Sequence, residues 1–331
     1  MIGKSSLPEL VFGCAAMGDP SHPQAKFNRP ENTLPLFELL RARGVAHLDT
    51  ARAYPVGAPG TSEALLGSLR AGDWATIDTK VVSWRPGTHT AEMIAASIPL
   101  SLDALHLDKV NIMYLHAPDR ATPFAETLRA MDEAHRAGKF SELGVSNYTA
   151  EEVEQMIEIC EREGYIKPTV YQGRYNALIR SGEQGLFPTL RKHGIRFYAY
   201  SPSAAGLFTG KASKNVSQNA LAGSRFDGTT PLGKVYQEDY FKDELFEAAD
   251  RLRAAAEREN LTAHAAALRW VMHHSALDGR HGDAIIIGAS SLAQVEQNLD
   301  ILEAGPLSQT LLQELGEIWQ IAKDSAPVYH R

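Results

Sequence analysis

The amino-acid sequence predicts an α/β fold in which the whole chain, residues 1–331, forms a single-domain (β/α)8 barrel of the TIM type. Short runs rich in β-branched residues alternate with amphipathic helical patterns from start to finish, which is typical of parallel strands joined by crossover helices. Eight such runs occur, and no break in composition divides them. Although 331 residues exceed the usual size of one core, α/β barrels of this length do form single domains.

Each predicted strand is a short, mostly apolar run. The eight runs span residues 11–14, 46–49, 76–80, 110–115, 142–146, 169–172, 196–200 and 284–287. No G-x-G-x-x-G turn follows the first run, although an open sheet that binds a dinucleotide would carry one there. We therefore expect a closed barrel in preference to a doubly wound open sheet.

Two predicted helices carry apolar stripes at helical spacing. The stripes consist of Val153, Met156, Ile157 and Cys160 in one helix and of Leu292, Val295, Leu299 and Leu302 in the other. We interpret both stripes as faces that pack on the barrel. The position of Cys160 on such a face argues against a reactive thiol.

The longest irregular stretch, residues 201–238, follows the seventh predicted strand and is rich in Gly, Ser and Asn. Its length and place fit either a mobile flap over a site or a disordered surface insertion. Beyond the eighth strand the helical pattern continues to the end of the chain, which predicts a C-terminal helical extension.

Composition and charge argue against several classes of binding partner and protein. The 33 basic and 40 acidic residues give a net charge of −7, and no dense Lys/Arg run indicates nucleic acid or an anionic membrane. Cys14 and Cys160 are too few for a disulfide framework or a four-cysteine zinc site. The N-terminal residues lack a signal-peptide core, and no segment approaches the roughly 20 apolar residues of a membrane span. We expect a cytoplasmic protein without a metal.

Polar side chains stand at or just after the ends of the predicted strands. In a barrel these ends meet at one rim, where catalytic groups gather. The residues concerned are Asp49, Tyr54, Lys80, His116, Ser146, Asn147, Gln172, Tyr200, Ser201, Gly288 and Ser290. A single Asp, Lys or His most often has a structural role, but this set together predicts an active site.

Four of these residues fit the acid half of a carbonyl reduction. The phenol of Tyr54 has an ordinary pKa near 10, and we expect a nearby Lys80 ammonium to lower it. Asp49 would balance the charge of Lys80. His116 would orient and polarise the carbonyl oxygen beside the Tyr54 hydroxyl. The hydride must then come from a cofactor.

These residues and the motifs around them resemble the aldo-keto reductases, and within that superfamily the aflatoxin aldehyde reductase branch. The motifs are Asp49 with Tyr54 five residues later, Lys80, Tyr114-Leu115-His116-Ala117-Pro118-Asp119, Gly144-Val145-Ser146-Asn147-Tyr148 and Tyr171-Gln172-Gly173-Arg174-Tyr175-Asn176. The likeness covers nearly the whole chain.

The resemblance implies NADPH as cofactor, bound across the C-terminal mouth of a barrel. Ser146, Asn147 and Gln172 would hold the nicotinamide carboxamide, and Tyr200 would stack on the ring. Residues 201–211 would cover the diphosphate and residues 290–298 would hold the adenosine end. The implied cofactor contacts are Asp49, Ser146, Asn147, Gln172, Tyr200, Ser201, Pro202, Leu207, Gly210, Lys211, Arg225, Gly288, Ser290, Ser291, Gln294, Gln297 and Asn298. Free N–H groups at a helix start beside Ser291 suit an anion there.

The sequence departs from the family pattern in two places. Residues 290–298 contain no Lys or Arg that could bind the 2′-phosphate of NADPH. Lys211 and Arg225 are therefore the candidates for this contact, and Arg225 could instead close the flap formed by residues 201–238. In the branch, an arginine that engages a substrate carboxylate stands near the position that Asp239 occupies here, and a terminal arginine matches Arg331. Only the terminal arginine is retained in this sequence. We therefore expect small carboxylate-bearing aldehydes to be poorer substrates here than in relatives.

The predicted substrate is a small carbonyl compound held by Tyr54, Trp84, His116 and Arg331. Two other functions stay open at this point. A barrel of this kind can act as a cofactor-sensing regulatory subunit with little turnover, and Lys80 could form a Schiff base in a lyase. Dimeric relatives make a homodimer one expectation for the assembly.

Overall fold

The computed structural model describes residues 6–331 and shows a closed barrel of eight parallel strands, joined in chain order with the eighth paired to the first. The strands are β1 (Glu9–Gly13), β2 (His47–Asp49), β3 (Thr76–Val81), β4 (Val110–Leu115), β5 (Phe140–Ser146), β6 (Pro168–Arg174), β7 (Arg196–Tyr200) and β8 (Ala284–Ile287). The predicted fold class is confirmed, and each predicted run overlaps a strand, with Cys14 and Ala46 lying one residue outside β1 and β2.

The strands are almost wholly buried, as expected for parallel strands covered on both sides. All four residues of β8 are buried, and so are the last four residues of β4 and of β5. Continuous apolar runs of this kind are therefore what made the strands visible in the sequence. The main difference is at β6, which extends to Arg174, two residues beyond the predicted end.

Eleven α-helices occur among the residues that the structure describes. They are α1 (Pro30–Ala42), α2 (Thr61–Ser68), α3 (Ala91–Leu105), α4 (Phe124–Arg136), α5 (Ala150–Glu163), α6 (Leu186–Lys192), α7 (Pro231–Tyr240), α8 (Asp243–Glu257), α9 (Ala263–His273), α10 (Leu292–Glu303) and α11 (Gln309–Ala322). The predicted C-terminal extension is α11, which packs against α8. None of these helices is long and apolar enough to cross a membrane.

The two apolar stripes lie on α5 and α10. All four predicted positions on α5 are buried, including Cys160. On α10, Val295, Leu299 and Leu302 are buried, whereas Leu292 is 37% exposed. The inclusion of Leu292 in the core face was therefore wrong, because this residue starts the helix at the rim of the barrel.

The segment 201–238 is more ordered than the sequence indicated. It contains 3-10 turns at Ala204–Thr209 and Gln218–Leu221, and it includes most of α7. The α7 start has two local causes: the Thr230 hydroxyl accepts a hydrogen bond from Gly233 N, and Pro231 occupies the first turn. Leu221 and Phe226 are buried, so the segment packs on the barrel and is not a disordered insertion.

A small apolar cluster fills the barrel interior and forms the floor beneath its carboxyl-end mouth. It includes Ile112 and Tyr114 of β4 and Ile286 of β8. The ring of Tyr114 lies so close to β5 that a side chain on Gly144 would place its first carbon 2.2 Å from the ring. The absence of a side chain at Gly144 therefore makes room for Tyr114.

Candidate active site

The centre of the candidate site is a buried ion pair between two neighbouring strands. Lys80 on β3 donates hydrogen bonds from Nζ to Asp49 Oδ1 at 2.5 Å and to the Thr50 carbonyl oxygen at 2.7 Å. The Lys80 side chain is fully buried, and that of Asp49 is 3% exposed. Such a pair is held by its geometry, because removing either partner leaves a buried charge uncompensated.

Asp49 also accepts a hydrogen bond from Gln172, whose Nε2 lies 2.8 Å from Asp49 Oδ2. Burial raises the pKa of the Asp49 carboxyl, while the Lys80 ammonium and the Gln172 amide act in the opposite direction. The predicted grouping of Asp49, Lys80 and Gln172 at one end of the barrel is thus present.

Tyr54 lies in the loop that follows β2, and buried polar contacts fix this loop. Thr50 and Ser62 share a hydrogen bond of 2.9 Å between their hydroxyls. Arg52 donates to the buried carboxylate of Glu63 at 3.0 Å, and Glu63 in turn accepts from the Thr79 hydroxyl beside Lys80. These contacts attach the loop to α2 and β3 and so restrict where Tyr54 can lie.

The Tyr54 hydroxyl faces His116. Its oxygen lies 3.4 Å from His116 Nε2, and the two rings meet edge to face with centroids 5.4 Å apart. Lys80 Nζ lies 5.1 Å from the centre of the Tyr54 ring. Tyr54, His116, Lys80 and Asp49 therefore come together as the sequence predicted.

The expected lowering of the Tyr54 pKa was wrong. Burial raises the pKa of this phenol well above its ordinary value, the charge of Asp49 adds to the increase, and Arg225 opposes it. The physical reason is that the Lys80 ammonium donates to Asp49 and Thr50 and makes no hydrogen bond to the phenol. A raised pKa keeps the Tyr54 hydroxyl protonated, which suits a proton donor.

His116 is a neutral imidazole in this environment. Burial lowers its pKa well below the ordinary value, and the charge of Lys80 and the nearby His89 add to the decrease. Nδ1 of His116 is buried without a hydrogen-bond partner among the described residues. The Nε2 edge, directed at Tyr54, can donate a hydrogen bond to an oxygen placed between the two side chains.

Trp84 lies beside His116 on the open side of the site. The side chain is 51% exposed, and its ring meets that of His116 with centroids 5.4 Å apart. Trp84 has φ of 75°, a left-handed conformation that is rare for an aromatic residue. An exposed aromatic held in this way is typical of a binding surface.

The residues predicted to hold the nicotinamide ring surround Asn147. Asn147 Nδ2 donates to the His116 carbonyl oxygen at 2.9 Å and to Ser146 Oγ at 2.8 Å. The Tyr200 hydroxyl donates to Asn147 Oδ1 at 2.8 Å. Ser146, Asn147, Gln172 and Tyr200 thus share one side of the mouth with the ion pair.

The residues predicted for the diphosphate and adenosine lie in the loop after β7 and around the start of α10. Leu207 is buried in the 3-10 turn that follows Ser201 and Pro202, and Gly210 ends that turn with φ of 77°. Lys211 is exposed. The loop therefore has the tight backbone of a segment that lies close over the barrel.

At the start of α10 the side chains cap the helix. Ser290 donates from both N and Oγ to Gln294 Oε1, at 2.8 and 2.9 Å. Ser291 is the N-cap and accepts from Gln294 N. Asn298 donates to the Gly288 carbonyl oxygen at 3.4 Å. Gln297 is exposed on the same helix.

Arg225 lies toward the catalytic end of the site. Its guanidinium carbon is 5.9 Å from the centre of the Tyr236 ring, and its charge acts on Tyr54. This placement favours the flap-closing role over a contact with the 2′-phosphate.

Tyr236, on α7, was missed in the sequence because the helix lies inside the supposed loop. Burial raises the Tyr236 pKa, but Arg225, Arg174 and hydrogen bonding outweigh it, and the net pKa is lowered.

The C-terminal residue is fixed at the mouth of the barrel. Arg331 donates from its backbone N to the Asn147 carbonyl oxygen at 3.0 Å, and its Nη2 lies 2.6 Å from Asp239 Oδ2. The same oxygen of Asp239 lies 2.9 Å from Nη1 of Arg174, which is buried. Asp239 therefore pairs with two arginines at the edge of the site, and its single negative charge offsets part of theirs. Arg174, at the end of the extended β6, is a second residue missed in the sequence.

Several histidines and cysteines outside this site have structural roles. His273 lies 3.2 Å from the Leu302 carbonyl oxygen, and His274 Nε2 accepts from Leu307 N. Burial raises the pKa of Cys160 to about 12 and that of Cys14 further. Within residues 6–331 no three His, Cys, Asp or Glu side chains form a group that could hold a metal ion.

The architecture and the site together define a class: a closed parallel barrel whose ionisable side chains meet at the carboxyl ends of its strands. The sequence profile described as "Aldo/keto reductase family" matches residues 9–320. The chain belongs to the aldo/keto reductase family, and it is therefore an oxidoreductase.

Individual relatives place the chain more narrowly. An aldo-keto reductase of Pseudocercospora fijiensis is 40% identical over 89% of this chain and 100% of its own length. Human aldo-keto reductase family 7 member A3 is 41% identical, with 98% of this chain and 97% of the relative covered. Human aflatoxin B1 aldehyde reductase member 4 is 40% identical, with 97% of both chains covered. The resemblance to the aflatoxin aldehyde reductase branch is confirmed.

Proposed function

We propose that this protein reduces an aldehyde or ketone to the alcohol with NADPH, and that Tyr54 delivers the proton. The observation that carries the proposal is the buried Tyr54 hydroxyl beside neutral His116, directly above the Lys80–Asp49 pair. The relatives named as aldehyde reductases support the reaction class, and their branch supports NADPH. A small carbonyl compound remains the predicted substrate, and a cytoplasmic homodimer the predicted assembly.

The chain's own residues fit a dinucleotide. Ser146, Asn147 and Gln172 offer amide and hydroxyl groups at one side of the mouth, and the free N–H groups of the first turn of α10 suit an anion at the other. When bound, the cofactor would supply the hydride. Tyr200, half-buried between these groups, would cover one face of the ring.

The protein's part in the chemistry is to bind and polarise the carbonyl oxygen and to protonate it. His116 Nε2 and the Tyr54 hydroxyl would both donate to that oxygen, and charge developing there would meet donors already in place. Because burial holds the Tyr54 pKa high, the phenol keeps its proton until the oxygen becomes strongly basic. The Lys80 charge, 5.1 Å from the centre of the Tyr54 ring, would offset only part of the cost that burial places on the phenolate left behind. Trp84 forms the outer wall of the pocket.

Lys80 is poorly suited to the Schiff-base chemistry left open by the sequence. Its ammonium donates to Asp49 and to the Thr50 carbonyl, and its side chain is fully buried. A nucleophilic amine must be neutral and free to reach a substrate carbonyl. The geometry therefore favours a supporting role beneath Tyr54.

Replacing Tyr54 with Phe tests the proposal. We expect kcat for aldehyde reduction to fall by about 100-fold or more, since positioned general acids contribute roughly this much. The NADPH dissociation constant, measured by quenching of protein fluorescence, should change little. Tyr198→Phe, on β7 inside the barrel, is a matched control that should keep its kcat.

Two results would contradict this function. Unchanged turnover in Tyr54→Phe would remove the assigned proton donor. Tight NADPH binding by the wild type without turnover of any aldehyde in a broad panel would favour the cofactor-sensing subunit instead.

A further inference from the structure

A dinucleotide with a 2′-phosphate brings a charge that the start of α10 cannot balance. A phosphate monoester carries about −1.5 to −2 charges at pH 7. Residues 290–298 contribute only one charged side chain, that of Glu296, which is negative. Arg225, one sequence candidate for this role, lies beside Tyr236 at the catalytic end. The remaining sequence candidate, Lys211, is exposed, so a partly buried positive charge for the phosphate would have to come from another element.

Arg253, on α8, lies against the loop that follows β7. A side chain on Gly210 would place its first carbon 3.5 Å from Arg253 Cδ and 3.8 Å from Cζ, so the arginine stem and guanidinium cover this glycine. Gly210 belongs to the segment predicted to cover the diphosphate. Arg253 is thus in contact with the proposed cofactor loop, although it lies about 45 residues beyond it in sequence.

One edge of the Arg253 guanidinium is unused. Nη1 is buried and has no hydrogen-bond partner among the described residues, while Nη2 contacts Asp250 on the exposed side of α8. A buried donor without a partner is uncommon and costs free energy in a folded protein. Burial also lowers the Arg253 pKa.

A second unpaired nitrogen lies on the adjacent helix α9. His264 Nε2 lies 2.8 Å from Asn298 Oδ1, while His264 Nδ1 is buried without a partner among the residues described. Both α8 and α9 pack against the 3-10 turn Ala204–Thr209. His264 fixes the side chain of Asn298, one of the residues predicted for the adenosine end.

We propose that Arg253 recognises the 2′-phosphate of the cofactor's adenosine, with its free guanidinium edge directed at the phosphate across the loop at Gly210. The inference rests on the function proposed above. An arginine fork matches phosphate geometry and can form charge-assisted hydrogen bonds to two oxygens. The exposed Asp250 would keep the guanidinium oriented when no phosphate is bound.

Binding of small adenosine nucleotides to the full chain tests this inference without catalysis. Adenosine 2′,5′-bisphosphate and 5′-AMP would be titrated into the wild type and Arg253→Met by calorimetry. Methionine keeps an apolar stem on Gly210 and removes the charge. We expect affinity for the bisphosphate to fall by about 10- to 100-fold, as for a lost charge-assisted hydrogen bond. Affinity for 5′-AMP should change less than about 2-fold, because the contact is absent.

Three further variants test whether the loss of bisphosphate affinity is specific to Arg253. Arg251→Met, two residues away on the exposed side of α8, should bind both nucleotides like the wild type. Asp250→Asn should bind the bisphosphate at least as tightly as the wild type, because it removes a negative charge. Lys211→Met, which removes the other candidate charge, should lose less affinity for the bisphosphate than Arg253→Met does.

The possible results separate this inference from the proposed function. An equal loss for both nucleotides in Arg253→Met, or a larger loss in Lys211→Met, would overturn the role of Arg253 while leaving NADPH-dependent reduction intact. A wild type that binds neither NADPH nor NADH would overturn both proposals.

Discussion

The two ends of the candidate cofactor site are built in different ways. At the catalytic end, Asp49, Lys80 and Gln172 come directly from barrel strands, are buried, and hold one another by hydrogen bonds of 2.5 to 2.8 Å. At the adenosine end, the loop around Gly210 and the start of α10 lie near the surface, and Arg253 and His264 carry nitrogens without partners. The barrel therefore pre-forms the chemical centre, whereas the proposed adenosine end leaves these two nitrogens unpaired within the described residues.

The largest effect should follow from breaking the ion pair at the catalytic end. Lys80→Met leaves the Asp49 carboxylate buried without its counter-charge, and we expect the free energy of unfolding to fall by about 3 to 5 kcal/mol. Urea denaturation measures this change. The double variant Lys80→Met/Asp49→Leu should recover much of the stability but none of the turnover. A single variant as stable as the wild type would show that the pair is not held as the structure indicates.

A smaller effect concerns pH. Burial lowers the pKa of His89 from 6.5 to about 4, with Asp119 acting in the opposite direction. A histidine whose pKa is lower in the folded state binds more protons when unfolded, so stability is lost as pH falls from about 6.5 toward 4. His89→Gln should reduce the slope of the unfolding free energy against pH by an amount that corresponds to up to one bound proton. The exposed His281→Gln is the control, and an equal change in both variants would contradict the assignment.

The smallest expected effect lies at the edge of the substrate pocket, where Asp239 pairs with Arg331 and Arg174 and offsets part of their positive charge. The wild type should therefore not strongly prefer succinic semialdehyde to butanal, an uncharged aldehyde of similar length. Asp239→Asn should raise the ratio of the two kcat/KM values by about 3- to 10-fold, because one charge contact near a surface contributes about 1 kcal/mol. Steady-state assays measure this ratio. A strong preference of the wild type for the semialdehyde would contradict the expectation.

The difference between the barrel strands and the segments outside them explains what the sequence could predict. Buried parallel strands leave continuous apolar runs, so all eight strands and the polar residues that end them could be identified before the structure was known. Helix α7 was hidden because its first turns follow a stretch rich in Gly, Ser and Asn. Tyr236 and Arg253 were missed because each stands in a helix whose local pattern carries no chemical motif, whereas Arg174 lies in a motif of the family resemblance but was given no role of its own.

The direction of the Tyr54 pKa could not be deduced from residue types. Lys80 does stand at the end of the neighbouring strand, as predicted, but its hydrogen bonds go to Asp49 and Thr50. Whether a nearby charge or burial dominates a pKa depends on distances and on water access, which spacing along a chain does not specify.

The fit of Tyr114 beneath Lys80 has a consequence for how this site can vary. Lys80 Nζ lies 5.5 Å from the centre of the Tyr114 ring, and that ring occupies space left by Gly144. The space beneath the ammonium thus depends on a position on β5, two strands away from the strand that carries Lys80. Residues lining the pocket can change to accept new carbonyl compounds, but position 144 can accept almost no side chain without displacing the ring on which the lysine rests.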